Sequence, residues 1–124
     1  MTKAMSAANH RKQLVEMRAT TLERITRLTE EYHALAEAGT DVGSGEDEGG
    51  SEADGTFFER DRIRAQIIED EALVGTIDGA LARADTKQWK TCSSCASPIG
   101  DARLEALPTT SLCVSCKATE AVSW

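Results

Sequence analysis

The chain has 124 residues and a formal net charge of −7, and only 4% of its residues are aromatic. A chain this short with so few large side chains is not expected to form one large globular core. The acidic balance also argues against binding to duplex DNA, because that requires clustered Lys and Arg side chains that neutralise phosphates. We therefore expect helices and a small stabilised module, without direct DNA binding.

The sequence contains no targeting or membrane-spanning signal that we recognise. Residues 1–11 lack the apolar run of a signal peptide. No stretch approaches the roughly 20 apolar residues that are needed to span a bilayer. These observations predict a cytoplasmic protein with no membrane partner, in a compartment where paired cysteines more often bind metal than form disulfides.

Residues 6–38 are predicted to form one long helix. Four apolar side chains follow helical 3-4-3 spacing: Ile25, Leu28, Tyr32 and Leu35. The stripe continues less regularly towards the N-terminus through Leu14, Val15 and Leu22. Gly39 follows where a C-terminal cap is expected.

Residues 39–55 are predicted to form a flexible acidic tip. They hold six of the 9 glycines and neither Lys nor Arg. Their acids are Asp41, Glu46, Asp47, Glu48, Glu52 and Asp54. One interpretation is a solvated spacer; the other is a partner-binding tip formed by Asp47, Glu48, Glu52 and Asp54, since loop tips on rigid scaffolds commonly carry function.

A second helix is predicted at about 56–86, because Thr56 and Glu59 have the spacing of a capping box. Its seam has 4-3-4-3-4 spacing and is interrupted once by Asp70: Ile63, Ile67, Asp70, Val74, Ile77 and Leu81. Neither helix can bury its stripe alone. The two therefore predict a mainly α fold in which residues 1–86 form a long antiparallel coiled-coil hairpin. The seam could close within one chain or between two chains, and Asp70 and the connecting loop favour a monomer.

The four cysteines predict a small C-terminal zinc finger at residues 87–124. Cys92 and Cys95 form one CxxC turn, and after seventeen residues Cys113 and Cys116 form another. Two such turns complete a tetrahedron around one structural Zn²⁺. Sulfur ligands alone leave no open metal position for an activated water, and the sequence has no other catalytic motif, so we expect no enzyme activity.

Other chemistry remains open for the same four residues. Two disulfides or a dithiol redox site would also use paired cysteines. Iron in place of zinc would make the chain a one-electron carrier, because tetrahedral sulfur sites accept either metal.

The finger resembles that of the DksA/TraR family of bacterial zinc-finger transcription regulators. The resemblance is carried by Trp89, Ile99, the run from Arg103 to Pro108 that reads RLEALP, and Leu112-Cys113. Phe58-Glu59-Arg60 also looks like a segment of actinobacterial-type members. The family's tip motif, DxxDxA, does not occur, and Ala96 stands where the family usually has glycine.

The resemblance implies a regulator that binds RNA polymerase by inserting its helical arm into the secondary channel, without touching DNA. The acidic tip would then approach the active centre and modulate initiation, while the finger and hairpin base grip the channel rim. The alternative is a zinc-stabilised coiled-coil adaptor that binds another protein. Only eight residues follow Cys116, which leaves little room for a C-terminal helix.

Overall fold

The computed structural model describes residues 5–43 and 50–122, and it describes side-chain surroundings for residues 5–37 and 55–119. Within these ranges four helices follow one another: α1 (Ala7–Gly43), α2 (Gly50–Ala84), α3 (Asp101–Ala106) and α4 (Val114–Val122). The predicted mainly α class is therefore confirmed. No helix within the described ranges is long and apolar enough to cross a membrane.

The two long helices extend further than the sequence predicts. Helix α1 continues through Gly39 to Gly43, and α2 begins at Gly50, six residues before the predicted start at Thr56. Helix propagation adds one hydrogen bond for each residue, whereas a glycine costs only about 1 kcal/mol relative to alanine. Glycine content alone therefore overestimated the length of the connection, and residues 44–49 lie outside the described part of the chain.

The chain divides into two compact units. The first joins the chain up to Ala19 with the chain from Gly75 onward, and the second is Thr20–Val74. Each long helix contributes to both units. The boundary expected between residues 86 and 87 stays a prediction.

In the Thr20–Val74 unit the two helices run antiparallel. Arg24 of α1 pairs with Asp70 of α2, and Tyr32 of α1 lies against Arg60 of α2, so residue numbers rise on one helix as they fall on the other. Asp70 is 2% exposed and Ile63 is 1% exposed. The acid that interrupts the predicted seam is thus a buried residue with an arginine partner.

Ion pairs show the same antiparallel order within the other unit. Arg11 Nη1 lies 2.9 Å from an Asp85 carboxylate oxygen, and Arg18 Nε lies 2.7 Å from an Asp78 carboxylate oxygen. Four apolar residues are buried along this part of the hairpin: Leu14, Ile77, Ala80 and Ala84. The coiled-coil hairpin predicted from the two stripes is confirmed.

The buried face of α1 differs from the predicted stripe. Val15 is 48% exposed and Leu22 is 39% exposed, so their assignment to the stripe was wrong. His10 and Thr21 are each 3% exposed and are buried on this helix instead. A search for apolar periodicity cannot find a seam that includes polar side chains, which is why the stripe looked irregular in this half of α1.

The start of α1 packs against the finger within the first unit. The His10 and Trp89 rings are stacked with centroids 4.8 Å apart. The Met5 backbone N–H donates to Asp101 Oδ2 at 3.3 Å, and Gln13 Nε2 donates to the carbonyl of Glu105 at 2.9 Å. Burial, aided by the nearby charge of Arg83, lowers the pKa of His10 and favours its neutral form.

Candidate metal centre

The first CxxC turn is held in a tight backbone hairpin. Thr91 pairs with Pro98 in an isolated antiparallel bridge. The Cys92 N–H donates to the Ser97 carbonyl at 2.7 Å, and the Ile99 N–H donates to the Lys90 carbonyl at 2.8 Å. These bonds flank the turn on both sides and fix the backbone from which Cys92 and Cys95 project.

The turn itself requires an unusual backbone conformation at Ala96, whose φ is 66°. Its N–H donates to the Cys92 carbonyl at 3.0 Å, which closes the turn. The left-handed region is sterically unfavourable for any residue with a Cβ, so glycine suits this position better than alanine. Within the turn, the Ser94 N–H points at Cys92 Sγ at 3.4 Å.

The second CxxC turn lies at the start of helix α4. Cys113 immediately precedes the helix and Cys116 lies in its first turn, with the Lys117 N–H donating to the Cys113 carbonyl at 3.0 Å. A bond of 2.8 Å from the Ser93 N–H to the Ser111 carbonyl ties the two turns together. The expectation of little C-terminal helix was wrong, because the helix begins within the cysteine motif itself.

The two turns bring all four cysteines together. Their Sγ atoms lie within 4.8 Å of one another, and Cys95 Sγ is 3.7 Å from Cys113 Sγ. Sulfurs that are each about 2.3 Å from a central zinc ion in a tetrahedron are about 3.8 Å apart. A disulfide requires about 2.05 Å, and all four cysteines are free. The geometry fits one tetrahedral metal ion.

The electrostatics of the cluster also suit a cation. Hydrogen bonds from the backbone of Cys113, Cys95 and Ser94 lower the pKa of Cys92 to about 6. The neighbouring sulfurs of Cys95, Cys113 and Cys92 raise the pKa of Cys116 to about 12. Four sulfurs this close cannot all carry a full negative charge without a cation between them.

A small core supports the cysteine cluster. Cys92, Ile99 and Leu104 are buried together. Five partly buried residues pack against them: Met5, Trp89, Leu112, Cys113 and Cys116. Because a core of this size cannot stabilise a domain alone, the arrangement of the finger depends on its metal.

The RLEALP run has a clear structural role in this framework. Leu104 is the 1% exposed centre of the small core, and Pro108 is buried at the end of the run. Arg103 Nε donates to the Leu112 carbonyl at 2.9 Å, just before the second CxxC turn. Gly100 precedes helix α3 with φ of 104°, a conformation that favours glycine. The run thus connects the core to the metal ligands.

The structure does not test the predicted acidic tip. Asp47 and Glu48 lie outside the described residues. Glu52 and Asp54 fall within helix α2, but their side-chain surroundings are not described. The contacts of His10 with Trp89 and of Arg103 with Leu112 were not foreseen from the sequence, because no spacing rule links residues so placed.

Comparison with known proteins finds a family model that matches the finger. Residues 88–120 match the family described as the prokaryotic dksA/traR C4-type zinc finger. Over 45 residues the chain is 42% identical to the RNA polymerase-binding transcription factor DksA of Haemophilus influenzae, covering 36% of this chain and 31% of that protein. Over 45 residues it is 44% identical to the DksA of Buchnera aphidicola subsp. Schizaphis graminum, covering 36% of this chain and 30% of that protein.

The likeness in fold extends over most of the chain. The structure of transcription factor DksA2 from Pseudomonas aeruginosa matches with a TM-score of 0.79 and 23% identity, over 93% of this chain and 82% of that one. By contrast, the matched segment spans only about a third of the two curated relatives, 31% and 30%.

The fold and the cysteine cluster together define a helical-hairpin protein with a C4-type zinc finger. Its residues 88–120 match the family model of the DksA/TraR C4-type zinc finger. The predicted resemblance and the predicted cofactor, one structural Zn²⁺, are both confirmed. The actinobacterial character suggested by Phe58-Glu59-Arg60 stays a prediction.

Proposed function

We propose that this chain is a non-catalytic transcription regulator that binds RNA polymerase through the secondary channel and modulates initiation without binding DNA. The observation that carries the proposal is a DksA/TraR-type finger joined to an antiparallel helical hairpin. The curated relatives that share the finger are named RNA polymerase-binding transcription factors. In this proposal the protein acts in the cytoplasm as a monomer.

The zinc ion has a structural task in the proposal. Cys92, Cys95, Cys113 and Cys116 would hold it, since their Sγ atoms converge within 4.8 Å. When bound, it supplies a crosslink between the two CxxC turns. The residues around it fix the finger against the start of α1, through the His10–Trp89 stack and the bond from Met5 to Asp101. A rigid hairpin base would let the arm enter a narrow channel in one orientation.

The acidic tip is proposed as the part that affects the polymerase. In the sequence, Asp47 and Glu48 fall between α1 and α2, and Glu52 and Asp54 fall near the start of α2. Carboxylates carried to the active centre would compete for, or reposition, cationic groups and metal ions there.

The first experiment is copurification of the zinc-loaded chain with core RNA polymerase, followed by measurement of promoter-complex lifetimes. We expect a complex and altered lifetimes. If the chain does not bind the polymerase, or if lifetimes are unchanged at saturating protein, the proposal is wrong. Recovery of some other protein in place of polymerase would favour the coiled-coil adaptor.

A second variant separates the tip from the rest of the binding surface. Neutralising the four tip acids together (D47N, E48Q, E52Q and D54N) should abolish the change in lifetime while leaving polymerase affinity largely intact. Loss of affinity as well would show that the tip anchors the complex instead.

A further inference from the structure

One surface of the Thr20–Val74 unit combines exposed aromatic rings with cations. Phe57 is 56% exposed and Phe58 is 69% exposed, and their rings are 6.0 Å apart. A cavity of about 130 Å³ lies beside them, lined by Tyr32, Phe57, Arg60, Asp61 and Arg64. We name this surface the Arg60–Arg64 patch.

The cations of the patch lack acidic partners within the described residues. Among the described residues of this unit, ion pairs join Arg24 to Asp70 and Arg62 to Glu59. Neither Arg60 nor Arg64 forms an ion pair with a described residue. The Arg60 guanidinium instead lies over the Tyr32 ring, with its carbon 5.9 Å from the ring centroid. This contact orients the guanidinium without neutralising its charge.

Hydrophobic exposure continues along the same face of α2. Phe57, Asp61, Arg64 and Ile68 recur at 4-3-4 spacing, which places them on one side of the helix. Ile68 is 57% exposed. Exposed Phe57 and Ile68 on one face with Arg64 between them are typical of a protein interaction site, where aromatic residues and arginine are enriched.

The size and charge of the cavity identify the kind of occupant. Small-molecule sites commonly measure about 300–1,000 Å³, so this cavity suits a single side chain better than a nucleotide. Its two guanidiniums, neither in an ion pair with any described residue, outnumber the one carboxylate of Asp61, which favours an anionic group. Arginine pairs with carboxylates in a bidentate manner, and the adjacent phenyl rings suit an apolar neighbour.

We propose that the Arg60–Arg64 patch docks a segment of RNA polymerase that places an Asp or Glu side chain beside an apolar one. The inference rests on the proposed function and deepens it, because it assigns part of the affinity to the side of the arm. Arg64 pairs with the acid, and Phe57 covers the apolar neighbour.

The test measures the affinity of the full zinc-loaded chain for core RNA polymerase by fluorescence anisotropy. Arg64→Glu should weaken binding at least about tenfold, since the acid then meets a like charge. Arg64→Lys keeps the charge and should stay within about threefold of wild type. Phe57→Ser should weaken binding through loss of apolar contact, with less dependence on salt than Arg64→Glu.

Arg27→Glu is the matched control. Arg27 is an exposed arginine of the same unit, has no ion pair within the described residues, and does not line the cavity. It should stay within about twofold of wild type, because an exposed charge far from a contact contributes little. The melting temperatures of all variants should stay close to that of the wild type, because the substituted positions are exposed.

Four results would overturn the inference, and they are distinguishable. If the wild-type chain binds polymerase and Arg64→Glu and Phe57→Ser bind with the same affinity, the patch is not a docking site. The proposed function is not contradicted by that result. Equal losses of affinity for Arg64→Glu and Arg27→Glu would show that binding responds to the net charge of the chain and not to the patch. Failure of the wild-type chain to bind polymerase removes both proposals. Binding of a labelled single-stranded oligonucleotide that Arg64→Glu abolishes would assign the patch to nucleic acid, which also contradicts the inference.

Discussion

The finger and the Thr20–Val74 unit maintain their structures by different interactions. Among the described residues, the core of the finger is the small buried cluster of Cys92, Ile99 and Leu104, within short helices and turns. The helical unit buries Ile63 together with the polar residues Thr21 and Asp70. Long helices satisfy their own backbone hydrogen bonds, so their interface tolerates polar residues that find partners. The finger has little such regularity and depends on a metal crosslink.

The largest expected effect follows from removing the metal. Structural zinc in finger peptides supplies apparent binding free energies of about 10–16 kcal/mol, far more than the finger core can replace. Cys113→Ser, or a strong chelator, should therefore unfold the finger and abolish amide protection at Leu104. The helices around Asp70 should keep most of their protection. Hydrogen exchange with mass spectrometry measures both regions in one experiment.

Ser115→Ala is the control for the metal prediction, because Ser115 lies between the two cysteines of the second turn and is exposed. It should retain one zinc per chain and wild-type protection. If Cys113→Ser also keeps a full equivalent of zinc and a protected finger, the difference between the two regions proposed above is wrong.

A smaller effect is expected from breaking the buried ion pair of the helical unit. Asp70 accepts hydrogen bonds of 2.8 Å from both Arg24 Nε and Arg24 Nη2, and one of 3.0 Å from Gln66. Arg24→Ala leaves a buried carboxylate without its cation and should cost about 2–3 kcal/mol of unfolding free energy. Arg18→Ala breaks the exposed pair with Asp78 and should have a much smaller effect, because solvent screens exposed ion pairs. Urea unfolding at neutral pH measures both.

The Arg24 prediction has a defined pH dependence. The hydrogen bond from Arg24 holds the pKa of Asp70 below its ordinary value of 3.8. The wild-type chain therefore has this stabilisation in full above pH 3.8 and loses it as the pH falls through the lower folded-state pKa. Without Arg24, burial raises the pKa of the carboxyl, so the gap between variant and wild type should narrow in acid. A gap independent of pH would show that Asp70 is not the cause.

The smallest effect concerns Ala96 in the first CxxC turn. Its left-handed φ of 66° is strained for alanine, and glycine adopts it freely. Ala96→Gly should stabilise the zinc-loaded finger by about 0.5–1 kcal/mol after the larger entropy of glycine in the unfolded chain is counted. Ala102→Gly in helix α3 should destabilise it by up to about 1 kcal/mol. Thermal unfolding of the two variants should therefore shift in opposite directions.

The sequence predicted the finger better than it predicted the hairpin. The two CxxC turns and the RLEALP run have fixed spacing, and the structure places their cysteines together around Leu104. Ala96 was recognised as a departure from the usual glycine, and its positive φ gives that departure a physical cost. The sequence spacing of the cysteines is enough to predict the site, because four thiolates that bind one metal ion must lie at the corners of a tetrahedron.

The hairpin was predicted in outline but not in detail. The antiparallel pairing followed from two helical stripes, but burial of His10 and Thr21 depends on contacts with distant residues such as Trp89. The helix ends at Gly43 and Gly50 depend on hydrogen-bond propagation, which composition underestimates. The Arg60–Arg64 patch could not be predicted from the sequence either, because only the structure shows which arginines have acidic partners among the described residues.

Native mass spectrometry of the chain mixed with core RNA polymerase tests the central claim most directly, because it reports binding and metal content together. We expect one chain bound per polymerase, carrying one zinc ion that Cys113→Ser removes. A chain that remains free of the polymerase, or that binds it equally well without any metal ion, would contradict the account.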